Sequence, residues 1–209
     1  MSSNRFFGNT AFVDLPDQEL NYGSSPTFEY VYCETPIFNR YEDMNIAPFS
    51  ANAGPGINPP TVTQIKDNGA GSAGIYTYAF SNAVEQEIFF SAQLPHAYKE
   101  GSDILPHVHF TTPTQTATTI TWGLEYSWTN RADTIQNSTI ITNSIATPAA
   151  YQHTICSLPT ILGTGKKISS ILNCRLFRQT GGYIGGALLL SMDFHILLDT
   201  IGSSGEGTK

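Results

Sequence analysis

The sequence predicts an all-β protein, a jelly-roll-like β-sandwich of about eight strands, and three observations support this fold class. Residues 117–128 alternate with a period of two, which is the pattern of a half-buried strand. Further strand-like runs follow one another from residue 75 onward, separated by turn residues, and none has a helical period. Only 13% of the residues are charged, while 12 Phe and 10 Tyr are present, and this composition favours strands over surface helices.

Each predicted strand is a short apolar run bounded by Gly, Pro, Asn or Thr. The eight runs lie at residues 75–80, 86–94, 108–112, 117–128, 138–143, 151–158, 168–178 and 187–201. Alternation places the following residues of three runs on one face each: Thr118, Ile120, Trp122, Leu124, Tyr126 and Trp128; Ile88, Phe90, Ala92 and Leu94; and Leu188, Leu190, Met192, Phe194 and Ile196. Residues 180–183, with two adjacent glycines, predict a hairpin turn between the last two strands.

The first 70 residues differ from the rest, because Pro and Gly interrupt every apolar patch although aromatic residues are scattered throughout. We expect residues 1–70 to form an extended N-terminal arm, residues 71–203 a β-sandwich domain, and residues 204–209 a flexible tail without an apolar anchor. The arm either binds a partner surface through aromatic anchors or wraps the chain's own sandwich and covers its open edges. The candidate partner-binding anchors are Phe6, Phe7, Phe12, Phe28 and Tyr30.

Four stretches of the sequence resemble virion structural proteins of tailed phages, of the capsid decoration, fibre or appendage kind. These stretches are LPHAYKEGSDILPHVHF (94–110), TWGLEYSW (121–128), ISSILNCRLFR (168–178) and MDFHILLDTIGS (192–203). The resemblance covers roughly residues 83–203 and implies a component of a phage particle. It implies no catalytic residue.

Charge, cysteine content and apolar run length argue against several classes of protein. A net charge of −7 opposes binding to nucleic-acid phosphates, and no apolar run is long enough to span a bilayer. Cys33, Cys156 and Cys174 are widely spaced without a CxxC pattern, so neither a disulfide framework nor a zinc–cysteine site is predicted, and Cys174 should be a small buried residue. Because no export signal is recognisable, we expect synthesis in the host bacterial cytoplasm and a final location in the virion.

The sharpest chemical pattern is Gly101, followed after five residues by His107 and His109. Histidines at positions i and i+2 of a strand project to one face, which suits a transition metal, and the spacing matches the first half of the cupin motif. The Glu that should follow the second histidine is missing, and the other possible ligands are Glu125, His153 and His195. Alternatively, the two histidines form hydrogen bonds across strands or to a neighbouring subunit. We therefore predict no cofactor, and His107 and His109 remain the candidate metal ligands.

No complete catalytic motif is present, so we predict that the protein is not an enzyme. Residues 70–74 lack the first glycine of a nucleophile elbow, and residues 163–167 lack the closing Ser or Thr of a P-loop. A glycosidase needs two carboxylates at a defined separation, which the sequence cannot establish, and solvated carboxylates are the simpler interpretation. The carboxylates considered are Glu85, Glu87, Glu125 and Asp193.

These features lead to one main hypothesis and two alternatives. The main hypothesis is a non-enzymatic structural component of a tailed-phage particle, a capsid decoration or cement protein that stabilises the shell by binding it. Its expected partners are further copies of itself, as the homotrimer that the resemblance implies, and the major capsid protein or other virion proteins, but no nucleic acid and no membrane. The first alternative is a tail-fibre or appendage protein that binds a host surface glycan through loop 95–106 and Tyr98. The second alternative is a cupin-like metal enzyme that uses His107 and His109.

Overall fold

The structure, a computed structural model, describes residues 6–8, 11–13, 39–53, 58–207 and 209. The chain divides into two compact units, Met1–Thr35 and Pro36–Lys209. In the first unit, strands β1 (Phe6–Gly8) and β2 (Ala11–Val13) form an antiparallel pair. Three of the five predicted anchors, Phe6, Phe7 and Phe12, belong to this pair, and Phe28 and Tyr30 lie outside the described residues.

The described part of the second unit contains ten strands and one short 3-10 turn, Pro48–Ser50. The strands are β3 (Arg40–Ile46), β4 (Thr61–Lys66), β5 (Ile75–Phe80), β6 (Gln86–Gln93), β7 (Leu105–Thr111), β8 (Thr119–Thr129), β9 (Thr139–Ala146), β10 (Thr154–Ser157), β11 (Ile171–Arg178) and β12 (Ala187–Leu198). The eight predicted strands correspond to β5–β12, so the strand pattern of the sequence is confirmed. Among the described residues, no helix has the length and apolar character needed to cross a membrane.

Strands β5–β12 have the nested pairing of a jelly roll. Around the connection from β8 to β9, β8 pairs with β9, β7 with β10, β6 with β11 and β5 with β12, all antiparallel. This folded ribbon closes into two sheets, a four-stranded sheet ordered β6-β11-β8-β9 and a six-stranded sheet ordered β10-β7-β12-β5-β4, in which β3 also pairs with β12. The predicted jelly-roll-like β-sandwich is therefore confirmed.

The core lies between the two sheets and is built from the inward faces that alternation predicted for β6 and β8. Trp122 is fully buried at its centre, with its ring centroid 5.1 Å from that of Phe80 and 5.8 Å from that of Phe110. Burying one such large side chain contributes about 1.5–3 kcal/mol to folding. Cys174 is buried as predicted, and desolvation raises the pKa of its thiol to about 12. The tryptophans and this cysteine thus serve the core.

The prediction that Leu188 and Leu190 share a face of β12 with Met192, Phe194 and Ile196 is wrong. The register against β7 shifts between Leu189 and Ser191, so one extra residue is inserted at a β-bulge. Before the bulge Leu189 faces the core, and after it the inward residues are Met192, Phe194, Ile196 and Leu198. Because side chains alternate with a period of two, one inserted residue moves Leu188 and Leu190 off the core face.

The predicted hairpin between the last two strands is also wrong. Residues 180–183 do turn, with positive φ at Gly181 and Gly182, but β11 belongs to the four-stranded sheet and β12 to the six-stranded one. The guanidinium of Arg178 is buried beside this crossover and donates to the backbone carbonyls of Phe80, Tyr183 and Gly185. This residue therefore ties the crossover to the end of β5.

The boundary predicted at residue 70 also needs correction. Strand β3 pairs with β12 along Arg40–Ile46, and β4 pairs with β5, so residues from 40 onward already contribute strands to the sandwich. Asn52 adds a further bridge to Phe89 of the four-stranded sheet. Of the two alternatives for the arm, covering the chain's own edges is what residues 40–53 and 58–66 do.

Candidate functional site

A cluster of histidine and aspartate side chains lies on the outer face of the six-stranded sheet. We call it the His–Asp cluster, and its members are Asp43, His107, His109, His153, Asp193 and His195. Strand alternation positions it, since Val108 and Phe110 of β7 face the core and the histidines between and before them face outward. In β12, Phe194 faces the core in the same way, between Asp193 and His195.

The pairing register brings the cluster together. Strand β12 lies between β7 and β3 at this point. Its Asp193 is directly opposite His107 of β7, and its His195 is directly opposite Asp43 of β3. Directly opposed residues of an antiparallel pair have their Cβ atoms about 4.5–5.5 Å apart. Three strands that are distant in sequence therefore present their polar side chains at one place.

The centre of the cluster is the buried carboxylate of Asp193, whose residue is only 3% exposed. Its Oδ1 lies 3.5 Å from Nδ1 of His107, and both atoms are buried without a hydrogen-bond partner. A buried carboxylate oxygen without a partner carries a desolvation cost of about 1–3 kcal/mol or more. Two such atoms aimed at each other are therefore the unusual feature of this face.

The other carboxylate oxygen of Asp193 is satisfied. Its Oδ2 lies 3.1 Å from Nε2 of His109, and Nδ1 of the same ring lies 2.8 Å from Nε2 of His153. The rings of His109 and His153 stack, with centroids 5.0 Å apart. This chain of contacts runs from the exposed side of the sheet to the buried carboxylate and fixes its orientation.

His195 completes the cluster on the side of β3. Its Nε2 lies 2.9 Å from Oδ1 of Asp43 and 3.8 Å from Oδ2 of Asp193. The ring centroids of His195 and His107 are 4.2 Å apart. Burial and the neighbouring His195 lower the pKa of His107, so its imidazole is neutral near pH 7. A neutral imidazole is the form that binds metals.

Within the described residues, His107, Asp193 and His195 offer three ligand atoms that all lie within 4.8 Å of one another. The structure therefore places His107 beside His195, and His109 beside His153, so both further histidines considered from the sequence reach the candidate pair. Glu125 does not, because β8 belongs to the four-stranded sheet. Sequence reasoning missed Asp193 and Asp43 as members. The usable signal was that Asp193 and His195 repeat the i, i+2 spacing of His107 and His109.

A second polar cluster lies on the outer face of the four-stranded sheet and is centred on Arg175. Its guanidinium lies 2.8 Å from Glu85, 2.6 Å from Glu87 and 2.8 Å from Glu125. Ser138 also donates to Glu125, at 2.5 Å. Burial alone would lower the pKa of Arg175, but the three carboxylates raise it above its ordinary value. All three carboxylates are therefore ion-paired with Arg175.

The loop considered for glycan binding does not expose its aromatic side chain. Tyr98 is fully buried, with its ring centroid 6.1 Å from that of Trp128, and its hydroxyl donates to the carbonyl of Ser102. The interpretation of Tyr98 as a sugar-stacking residue is therefore wrong, because the ring packs in the core.

Comparisons with known proteins transfer no function to this chain. No protein-family model and no curated protein matches the sequence. Among solved structures, a chain of the infectious bursal disease virus Gx strain is 16% identical, with a TM-score of 0.37, over 97% of this chain and 41% of that one. TmCBM61, solved with β-1,4-galactotriose, is 11% identical, with a TM-score of 0.30, over 80% and 94%. The isomalto-dextranase of Arthrobacter globiformis T6 is 11% identical, with a TM-score of 0.39, over 74% and 23%.

This chain thus spans less than half the length of the viral chain and about a quarter of the isomalto-dextranase. At these identities and TM-scores the matches assign no function. The class defined by fold and surface is a jelly-roll β-sandwich with polar clusters on both outer faces.

Proposed function

We propose that this chain is a non-enzymatic structural component of a tailed-phage particle, and specifically a capsid decoration protein. The sequence resemblance supports the particle, and one structural observation supports a role in assembly. That observation concerns the last two strands of the six-stranded sheet, β4 and β5, together with Phe49, which packs against them. We call this surface the edge ribbon, and it exposes large apolar side chains.

The edge ribbon exposes apolar side chains on both of its faces. One face of the ribbon is continuous with the face that packs in the core, and on it Val62 is 53% exposed and Tyr76 is 47% exposed. On the same face Phe49, which is 57% exposed, packs beside Tyr78. Ile75 is 63% exposed on the opposite face. Among the described strands, β4 pairs only with β5, so its other edge is open to a partner. An apolar surface next to an open strand edge is typical of a protein–protein contact.

The charge of the edge ribbon favours a protein partner over nucleic acid or lipid headgroups. Lys66 is the only charged residue in β4 and β5, and its ammonium lies 3.6 Å from the centroid of the Tyr151 ring. A surface that binds phosphates needs several cations, and the chain as a whole carries a net charge of −7. We therefore assign the edge ribbon to contacts with the shell protein or with other copies of this chain in a homotrimer.

The proposed mechanism is stabilisation by mass action. A protein that binds only the assembled shell lowers the free energy of that state by RT ln(1 + [L]/Kd). The five aromatic residues predicted from the sequence remain the proposed anchors, and they would add to the contacts of the edge ribbon: Phe6, Phe7, Phe12, Phe28 and Tyr30.

Co-sedimentation with phage shells stripped of this protein tests the proposal. The full-length chain should rebind in stoichiometric amounts, and a V62D/Y76D variant should lose binding because it introduces charge into the edge ribbon. Ile184→Asp is the matched control, since Ile184 is 83% exposed but lies in the crossover between β11 and β12. If the folded full-length chain does not bind shells, the decoration role is wrong. Binding to a host surface glycan would then be the function to test.

A further inference from the structure

We propose that His107, Asp193 and His195 bind a divalent transition-metal ion, with Zn²⁺ as the reference ion, on the outer face of the six-stranded sheet. The site would link β7 to β12 and reach β3 through Asp43. This inference is independent of the proposed role in a phage particle, because it depends only on the geometry of the His–Asp cluster.

The two unpartnered atoms carry the argument. Nδ1 of His107 and Oδ1 of Asp193 are buried, face each other at 3.5 Å and form no hydrogen bond. A direct N–H···O bond would bring these atoms to about 2.7–3.2 Å. In a tetrahedral zinc site with bonds of about 2.0–2.1 Å, neighbouring ligand atoms are separated by about 3.3 Å. The observed separation is therefore longer than a hydrogen bond and close to the edge of a coordination tetrahedron.

The third ligand is His195, whose nitrogen lies within the 4.8 Å that encloses all three ligand atoms. Its Nε2 is 2.9 Å from Oδ1 of Asp43, so a metal bound to this nitrogen would replace that contact and place the Asp43 carboxylate next to the ion. Asp43 is the nearest candidate for a fourth ligand. Its side chain is 61% exposed, so this position is also open to water.

The surroundings of Asp193 already have the form of a supported metal ligand. His109 holds Oδ2 of the carboxylate at 3.1 Å and is itself held by His153, which leaves Oδ1 directed at His107. Such outer contacts orient metal-binding carboxylates and typically change affinity 10–100-fold when they are removed. His109 is thus a positioning residue in this site rather than a ligand.

The ligand set selects the kind of ion. Two imidazoles and one carboxylate suit Zn²⁺, Fe²⁺, Co²⁺ or Ni²⁺, whereas Mg²⁺ and Ca²⁺ prefer sites built from oxygen atoms. Because the ligands come from adjacent strands, a bound ion would crosslink the sheet. We assign the ion a structural role, which needs no open position for a substrate.

The test is titration of tag-free, EDTA-treated and dialysed full-length protein with ZnCl2 by isothermal calorimetry. We expect one saturable site per chain, and CoCl2 should give visible absorption bands that ZnCl2 abolishes. MgCl2 should not compete. The variants Asp193→Asn and His195→Gln should weaken binding about 100-fold or more. His96→Gln is the matched control, because His96 contacts Ser169 and Ser203 away from the cluster, and it should leave the affinity unchanged.

Two results would overturn the proposal. One is the absence of saturable zinc binding to the unmodified protein. The other is zinc binding that survives both Asp193→Asn and His195→Gln. If a variant fails to fold by circular dichroism, the cobalt spectrum of the unmodified protein still decides. Bands with nitrogen and oxygen ligation support the site, and the spectrum of hydrated cobalt alone rejects it.

Discussion

The two outer faces of the sandwich carry polar clusters of opposite character. On the four-stranded sheet, Arg175 contacts three carboxylates at 2.6–2.8 Å, and hydrogen bonds join it to all three. On the six-stranded sheet, Asp193 and His107 face each other at 3.5 Å with one buried, unpartnered atom each. In the Arg175 cluster every carboxylate has a hydrogen-bonded partner, whereas in the His–Asp cluster one buried carboxylate oxygen, Oδ1 of Asp193, has none.

The difference in hydrogen bonding between the two clusters indicates which of them could bind a ligand. A buried polar group without a partner costs free energy, so each one needs a physical explanation, such as strain, a functional role or a bound water or ion. In the Arg175 cluster each carboxylate already has a hydrogen-bonded cationic partner, and Arg175 also lies over the Phe177 ring, with its Cζ 4.3 Å from the centroid. The His–Asp cluster would be completed by a single cation.

The largest expected effect separates the two clusters by stability. Replacing Arg175 by Met leaves Glu85, Glu87 and Glu125 close together without a cation, and we expect the free energy of unfolding to fall by about 2–3 kcal/mol. This value is below that of a fully buried pair because the Arg175 side chain is 19% exposed. In metal-free protein, Asp193→Asn should change the free energy of unfolding by less than about 1 kcal/mol, because Oδ1 of Asp193 forms no hydrogen bond that the substitution could remove. Urea denaturation measures the free energy of unfolding of both variants. Equal losses of stability would contradict the proposed difference between the two clusters.

Double-mutant cycles test the difference between the two clusters as coupling energies of single residue pairs. The pair Arg175 and Glu125, in contact at 2.8 Å, should show a coupling energy of about 1 kcal/mol. The pair His107 and Asp193 should show a coupling near zero without metal and a larger one when zinc is present at saturation. The measurement is denaturation of the four variants of each cycle, with and without ZnCl2. A strong coupling between His107 and Asp193 in EDTA would mean that they bind each other directly and need no ion.

The pH dependence of the free energy of unfolding tests the Arg175 cluster through its member Glu125. The hydrogen bond from Ser138, followed by those from Arg175, lowers the pKa of Glu125. Between this lowered value and the ordinary pKa of about 4.3, the unfolded chain binds more protons than the folded one, so stability rises with pH. The contribution is therefore full above about pH 4.3 and is lost as pH falls through the lowered pKa.

Urea denaturation at several pH values from 7 to 3 measures this contribution. Glu125→Gln should reduce the loss of stability on acidification, whereas Glu206→Gln, in the C-terminal tail, should leave it unchanged. If the slopes for Glu125→Gln and the unmodified protein coincide, the hydrogen bonds to Glu125 do not stabilise the folded chain.

The sequence predicted the strands of the jelly roll because burial on one face leaves a period of two that needs no structural context. The run at residues 75–80 coincides with β5, and the inward face of β8 is as expected. Strands β3 and β4 were missed for the opposite reason. Both are mostly exposed, so their residues carry no apolar alternation that would distinguish a strand from an arm. The bulge in β12 was missed because the insertion of one residue depends on pairing.

The candidate site was predictable only in part. His107 and His109 could be placed on one face from their spacing, but their partners depend on which strands pair. His109 and Asp193 are separated by 84 residues in sequence, and only the antiparallel register of β7 and β12 brings them together. Strand register at this range is set by the packing of the whole sandwich, so no local pattern specifies it.

The smallest expected effect tests whether the outer contacts of the His–Asp cluster support its centre. His153 reaches Asp193 only through His109, at 2.8 Å and then 3.1 Å. His153→Ala should therefore weaken zinc binding about threefold, less than the 10–100-fold typical of groups that contact a ligand directly. His109→Ala should lie between this variant and Asp193→Asn. Calorimetric titration of the three variants gives the order, and an affinity loss for His153→Ala as large as that for Asp193→Asn would make His153 a ligand and move the site toward the edge of the sheet.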